Sequence, residues 1–396
     1  MTQPAPQNWP LTIRTEQVPI KLWLDDIEEG ALEQARHLAN LPFAFHHVAI
    51  MPDAHLGYGM PIGGVMATEG VVVPNAVGVD IGCGMCACRS SLSEVAVSDL
   101  KRIMSLVREA VPLGFAHHKR RQDPAHMPQL EEDEALPQVH SEYGSALCQL
   151  GTLGGGNHFI EIQQAVDHRI WIMIHSGSRN LGFRVAHHYN DLARRLNLGG
   201  QAGVPPAWQL AWLELDSPEG RRYLREMRFC VDFALANRHL MLERIQQAFA
   251  HVLGPVDFEP FINIAHNYAA AERHFHREVM VHRKGATSAR AGELGIIPGS
   301  QGTASYIVRG RGCVESFMSC SHGAGRVMGR KEAQRRLDLA AEQQRLDRQG
   351  IVHALRRKSD LDEAAGAYKD IETVLTRQQD LVEVVERLRP LAVIKG

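Results

Sequence analysis

The chain has 396 residues, 44% of them hydrophobic and 22% charged, with 43 Lys and Arg against 45 Asp and Glu for a formal net charge of -2. That balance leaves ample chain for a core and excludes a surface basic enough throughout to coat nucleic acid, while a locally basic groove stays compatible with it. No apolar run reaches the length of a membrane span, and the polar, proline-rich start (1–10) lacks a signal-peptide pattern; seven cysteines without small-scaffold spacing suit a reducing cytoplasm.

In chain order, residues 11–45 read as a short strand and then a helix over about 26–40, acidic at its start as the helix dipole prefers. Short apolar runs between Gly, Pro and Asn at 47–50, 63–66 and 71–73 predict short strands. Leu100, Ile103, Leu106 and Val107 recur at helical spacing, so a helix is expected over about 98–110, with Ser98 as N-cap and Pro112 just past its end. The charged segment 117–137 reads as a surface excursion, 159–162 and 169–174 as strands, and 179–197 as a helix. The stretch 217–249, almost free of Gly and Pro after Gly220, is a long helix that either packs one face on a sheet or forms a helical excursion at about 205–250. Strands follow at 261–265, 278–281, 295–297 and 305–308, then helical patterns at 324–349 and about 370–388, and a last strand at 391–394. The pattern predicts an α+β fold in a single domain over 1–396, with short mixed strands around a central metal and nucleotide cleft and a helical insertion.

The stretch Val77-Gly78-Val79-Asp80-Ile81-Gly82-Cys83-Gly84 sets a carboxylate and a thiol three residues apart among three glycines. Glycine lets backbone and ligand approach closely, so Asp80 and Cys83 read as two metal ligands; a tight turn with a buried free thiol is the plainer alternative. Three of the 21 histidines share one setting at strand ends: His158 after Gly154-Gly155-Gly156-Asn157, and His175 and His266 just beyond apolar runs. These five donors suffice for two metals only if one ligand bridges, and a thiolate is best suited to bridging. Thiolate and imidazole suit Zn, a carboxylate with phosphate oxygens suits Mn or Mg, and spacing leaves the choice open.

Two further stretches read as anion sites. Pro298-Gly299-Ser300-Gln301-Gly302-Thr303 is able to present backbone N–H groups to a phosphate or a base, although it lacks the P-loop pattern and equally suits a turn between strands. Ser321-His322-Gly323-Ala324-Gly325-Arg326 surrounds a histidine with small residues at an expected helix start, where phosphate is favoured. Arg326 and Arg330, four apart, are then expected on one helix face, with Arg179 joining them beside His175. His322 suits a base, a ligand or a nucleophile, and Asp53, after Pro52, is a candidate to hold its tautomer.

These residues fall within motifs that resemble the RtcB family of RNA ligases: PDAHLG at 52–57, GVDIGCG at 78–84, GGGNHFIE at 154–161, HSGSRNLG at 175–182, HN at 266–267, RKGAT at 283–287, IIPGSQGTAS at 296–305, SHGAGR at 321–326, GAYKDI at 366–371 and the closing VIKG. The resemblance implies a GTP- and Mn-dependent joining of an RNA 3′-phosphate or 2′,3′-cyclic phosphate to a 5′-hydroxyl, in RNA repair or tRNA splicing. His322 matches the residue that carries the covalent GMP, and Asp53 the acid that orients it. Asp80, Cys83 and His158 match one metal site and Cys83, His175 and His266 the other, with Cys83 bridging two Mn ions; Zn or Co are further candidates for the pair. Asn157, Glu161, Asn267, Ser300, Ser305, Tyr368 and Lys395 match nucleotide contacts. Gln301 stands where the family commonly has methionine, and Ala365 where proline often precedes GAYKD, so the guanine pocket is the place to expect a difference. The expected partners are RNA ends, with an activating protein left open and no membrane. A metal-dependent phosphoesterase acting on RNA ends and a catalytically silent RNA-binding homologue are the rival readings.

Overall fold

Period-2 alternation builds the centre of this protein. The computed structural model describes residues 9–130, 136–197 and 203–396; the beginning of the polar start (1–8) and residues 131–135 of the charged excursion lie outside them. The chain opens with β1 (Leu11–Ile13), β2 (Ile20–Leu22), α1 (Glu29–Ala39), β3 (Ala44–Tyr58), β4 (Met60–Thr68), β5 (Val71–Val72) and β6 (Gly84–Ser90). Next come α2 (Val97–Ala110), α3 (Pro137–Gln149), β7 (Phe159–Ala165), β8 (Ile170–Ser176), α4 (Arg179–Leu196), β9 (Leu213–Glu214) and α5 (Pro218–Leu253). Then follow β10 (Phe258–Ala265), β11 (Asn267–His274), β12 (Arg277–Lys284), β13 (Ala286–Ser288), β14 (Leu294–Ile297), β15 (Ser305–Gly310) and β16 (Ser319–Ser321). The chain closes with α6 (Arg330–Arg336), α7 (Leu339–Arg348), α8 (Ile371–Thr376) and β17 (Val382–Lys395).

Two large sheets result, in the orders β1-β2-β3-β4-β12-β11 and β10-β6-β8-β7-β17-β15-β14, with the small pairs β13-β16 and β5-β9 beside them. In the second sheet, Ile160 and Ile162 of β7 and Ile170, Ile172 and Ile174 of β8 turn to one face, where Met241, Ile245 and Phe249 of α5 and Ile103 and Val107 of α2 cover them. The intervening Phe159, Trp171 and Met173 face the other way, with Met85, Ile262 and Ile307. That alternation sends Glu161, paired with Met173, and His175, paired with Phe159, toward the cavity side. Of the two expectations for the 217–249 stretch, packing on the sheet is the one observed. Among the described residues no helix is long and apolar enough to cross a membrane.

Several elements differ from the sequence reading. Helix α2 has Ala96, not Ser98, at its N-cap, and α3 lies where no helix was expected, opening on Pro137 at a first-turn position. The helix expected over 324–349 begins only at Arg330, because Gly325 has φ +74° and a Cβ there would lie 2.8 Å from Asp53 Cα. His322 therefore follows a strand rather than opening a helix, and Arg326 and Arg330 do not share a helix face. The helix expected to run to 388 stops at Thr376, and β17 begins at Val382. Its Val, Leu, Glu and Arg mixture suits both periods locally; pairing with β15 on one side and β7 on the other decides for the strand.

Candidate active site

Cys83 immediately precedes β6, His158 immediately precedes β7, His175 is the penultimate residue of β8, and His266 immediately follows β10. Antiparallel pairing brings these ends to one edge, since Gly84 lies opposite both Ser176 and Ala265, and Phe159 opposite both His175 and Lys395. Across that edge the order is His266, Cys83, His175, His158, Lys395, set by the strand order alone. Neighbouring strands are spaced by about 4.8 Å. Side chains reaching inward from these ends place the potential ligand atoms of Cys83, His175 and His266, and those of Asp80, Cys83 and His158, each within 4.8 Å of one another.

Glycine is required at two of these positions. Gly82 has φ +74° and a Cβ there would meet Val231 Cα of α5 at 2.8 Å, while a Cβ on Gly84 would overlap the Ile264 carbonyl. Residue Arg238 of α5, completely buried, then ties the ligand-bearing ends together. Its guanidinium donates to the carbonyls of Gly82 (3.0 Å), Ser176 (2.8 Å) and Ile264 (3.2 Å) and to Asn263 Oδ1 (2.7 Å). Beside it, Asn237 accepts from the backbone N–H groups of Gly151 and Thr152 and donates to the Gly177 carbonyl.

Proton placement fits a cation at both groups. His158 Nδ1 donates to the Leu153 carbonyl (3.0 Å) and His175 Nδ1 to the Asn157 carbonyl (3.1 Å), so each Nε2 turns a lone pair inward. Those lone pairs converge on one another's neighbours: His158 Nε2 is 3.2 Å from Asp80 Oδ2 and 3.4 Å from Cys83 Sγ, and His175 Nε2 is 3.3 Å from Sγ and 3.4 Å from His266 Nε2. Burial holds the His175 and His266 rings well below the ordinary histidine value, hence neutral and able to ligate. Burial and the Asp80 carboxylate push the Cys83 thiol up, and a bound cation is what would favour its thiolate. Cys83 belongs to both groups and could serve both.

Beside this cluster opens a cavity of about 690 Å³, a size typical of small-molecule sites. Asn157, Glu161, His175, the 298–301 turn, Ser305, His322, the 323–325 turn, Arg326, Arg330, Tyr368 and Lys395 all line it. Residues Asn267, Arg179 and Asp53 do not. Asn267 uses both ends of its amide internally, donating to the Asp80 carbonyl (3.0 Å) and accepting from Gly285 N–H (2.8 Å). The Arg179 guanidinium packs behind His158 and donates to Thr152 Oγ1 (3.3 Å).

Asp53 lies behind His322. It sits in a bulge of β3, where pairing with β4 jumps from Ile50–Gly64 to His55–Ile62, and bulges of this kind re-aim a side chain. Its Oδ2 accepts from His322 Nδ1 (2.7 Å) and from the backbone N–H groups of His322 (3.1 Å) and Gly323 (3.2 Å). Burial alone would raise the Asp53 carboxyl, but the adjoining His322 ring holds it below the ordinary range. With Nδ1 so engaged, His322 Nε2 is the nitrogen left for chemistry, on a ring 4.8 Å from that of His266.

Three residues that organise this site were not singled out from sequence. Glu363, buried, accepts from Arg326 Nη1 (2.9 Å), Arg330 Nε (2.8 Å) and the Tyr368 hydroxyl, so the two arginines converge without a shared helix. Lys369 Nζ donates to the Pro52 (3.3 Å) and Ala54 (3.0 Å) carbonyls that flank Asp53. Its signal was the GAYKDI motif that contains it; Glu363 stands just before that motif, and Arg238 has no local signal. Gln301 donates to the Glu363 carbonyl (2.8 Å), and Ala365 is buried in a 3-10 turn beside it.

Comparison with known proteins identifies the family. A family model described as tRNA-splicing ligase RtcB matches residues 34–396. The RNA-splicing ligase RtcB of Escherichia coli K12 is 38% identical over 407 residues, covering 97% of this chain and 99% of that protein. The tRNA-splicing ligase RtcB of Thermococcus kodakarensis is 32% identical over 462 residues, covering 96% and 95%, and that of Archaeoglobus fulgidus 34% identical over 447 residues, covering 93% and 92%. A histidine held by a buried carboxylate, beside paired ligand groups that share one cysteine, thus stands in a chain that belongs to the RtcB family.

Proposed function

We propose that the chain is a GTP- and manganese-dependent RNA ligase that joins an RNA 3′-phosphate, or a 2′,3′-cyclic phosphate once opened, to a 5′-hydroxyl through a covalent histidine–GMP adduct. The observation that carries this reading is the His322–Asp53 pair, with Nδ1 held at 2.7 Å and the ring lining a nucleotide-sized cavity. Asp80, Cys83 and His158 would hold one divalent cation and Cys83, His175 and His266 the other, supplying Lewis-acid stabilisation of charge that builds on phosphorus.

In this reading the His322 Nε2 lone pair attacks the α-phosphorus of GTP. An N–P bond forms, the bond from that phosphorus to the bridging oxygen breaks, and pyrophosphate leaves with the electron pair. Nδ1 keeps its proton, and the Asp53 carboxylate offsets the positive charge that appears on the ring. An oxygen of the RNA 3′-phosphate next attacks the same phosphorus, breaking the N–P bond and freeing His322. The 5′-hydroxyl then attacks the activated 3′-phosphate, loses its proton and displaces GMP. Buried Glu161 and half-buried Lys395, both at the cavity wall, complement a guanine edge that offers both N–H donors and acceptors. Arg326 and Arg330 bring positive charge to the phosphates. The substrates proposed are broken or spliced RNA ends in the cytoplasm, a reducing setting in keeping with seven free cysteines.

Incubation with α-labelled GTP and Mn tests the reading. An acid-labile, alkali-stable label on the protein is expected, and it should vanish in His322→Ala. No label with any divalent metal would sink it, and release of phosphate from RNA ends without joining would favour a phosphoesterase.

A further inference from the structure

The connection between β3 and β4 does something the proposed chemistry does not use. Its main chain is clamped from several sides: Gln34 donates to the Gly57 carbonyl (2.7 Å) and accepts from Gly57 N–H (3.1 Å), Glu28 accepts from Leu56 N–H, and Lys284 Nζ donates to the Tyr58 carbonyl (2.6 Å). The tip turns on Gly59 alone, at φ +69°, with its Cβ position hemmed in by Asn75 and by the Gln209 carbonyl, each at 2.8 Å. From this fixed backbone two large apolar side chains project outward, Leu56 at 52% exposure and Tyr58 at 73%. Both line the cavity that holds His322.

Exposed Arg330, Lys331 and Arg335 of α6 line the same cavity. Arg330 is paired with Glu363, and the neighbouring Glu332 is taken by Arg336, whereas Lys331 and Arg335 have no carboxylate partner among the described residues. A flat aromatic face and unneutralised cations on one opening complement a flexible polyanion with flat faces, which is a single-stranded nucleic acid. An apolar peptide would gain nothing from the cations, and a free phosphate would not use the ring.

We propose that the 56–58 tip is a stacking platform on which a base near the reacting RNA end lies against Tyr58, with Leu56 beside it and the adjoining phosphates on Lys331 and Arg335. The proposal rests on the ligase reading. The rigid main chain is what makes the platform effective, because little motion remains to be lost when a base settles on it.

The test measures binding of a short single-stranded oligoribonucleotide with a 3′-phosphate, by fluorescence anisotropy at several salt concentrations. Tyr58→Ala should weaken binding about ten-fold at every salt concentration and leave the slope of log Kd against log salt unchanged, since stacking releases no counterions. Lys331→Ala should instead lower that slope by about 0.7. Tyr58→Trp should restore affinity, and its fluorescence should be quenched when RNA binds. In joining assays the Tyr58→Ala loss should appear in the KM for RNA rather than in kcat. Unchanged affinity in Tyr58→Ala, or a Tyr58→Trp variant as weak as the alanine, would overturn the platform. GTP labelling of the unaltered protein in the same preparation separates the two failures: label with no RNA effect removes the platform alone, and no label removes the ligase reading beneath it.

Discussion

The two halves of the site are built from different materials. On the side of the candidate metal ligands, strand ends are fixed by close glycine packing and by hydrogen bonds to neutral carbonyls, gathered on the single guanidinium of Arg238. On the His322 side, three buried carboxylates do the organising. Asp53 holds the His322 ring, Glu363 gathers Arg326 and Arg330, and Glu272 pairs with the buried Arg283, which in turn donates to Ser319 Oγ and the Phe317 carbonyl at the start of β16. The first construction depends on shape and, under the proposed function, would be completed by a cation; the second depends on charge, and therefore on pH.

Replacing the shared ligand attacks the metal side most directly. Cys83→Ala removes one donor from both groups, and guanylylation and sealing should each fall by about a thousand-fold or more. Titration with Mn alone should show loss at both positions rather than one. A variant that keeps one tight Mn and half its guanylylation would show that Cys83 does not bridge.

The same contrast explains what the sequence made readable. Asp80, Cys83, His158, His175 and His266 stand next to glycines or at the ends of apolar runs, so local pattern and strand periodicity sufficed to find them. Asp53 was legible beside a proline, yet the bulge that turns it toward His322 comes from pairing with β4 and could not be read locally. His322 is legible in the sequence but its setting is not: the small residues around it suit a helix start, whereas Gly325 must be glycine because its backbone runs against Asp53. Arg238 and Glu363 carry no local signal, since most arginines and glutamates are solvated, and only long-range packing buries them. The 382–388 stretch reads as helix for a related reason: both strands that pair with it come earlier in the chain, one by more than seventy residues and the other by over two hundred.

Arg238→Met keeps the length and apolar stem of the side chain but leaves three carbonyls and Asn263 Oδ1 without their donor. Unsatisfied buried acceptors are expensive, and a loss of about 4 kcal/mol in urea unfolding is expected, together with weaker Mn binding. An intact Mn affinity in the folded variant would mean that the strand ends hold their spacing without the guanidinium.

Acid should separate the two halves by the opposite route. Burial alone would raise the Glu272 carboxyl, but its hydrogen bond with His274 and the charge of Arg283 bring it from the ordinary 4.5 down to about 2. A carboxyl depressed on folding stabilises the native state above its unfolded pKa. That contribution, about 3 kcal/mol at neutral pH, is lost as pH falls from about 4.5 through about 2. Glu272→Gln should be destabilised by about that amount at pH 7, and its stability should vary less steeply below pH 4.5. Equal acid slopes in the two proteins would show that the pair does not carry the dependence.

The smallest effect should come from Glu363, and it tests whether charge on the His322 side acts on binding rather than on chemistry. One carboxylate oxygen takes Arg326 and the Tyr368 hydroxyl, and the other takes Arg330. In Glu363→Gln one of those oxygens becomes an NH2, which cannot accept from a guanidinium, so one arginine must leave its place. Neither arginine is tied to the metal ligands, and Asp53 still holds His322. The KM for GTP should therefore rise about ten-fold, the worth of one charge-assisted hydrogen bond, while kcat and Mn affinity change little. A fall in kcat with KM unchanged would instead mean that Arg326 or Arg330 acts only once charge has developed on the transferring phosphorus, and the ion pairs around Glu363 would then be part of transition-state stabilisation rather than of nucleotide capture.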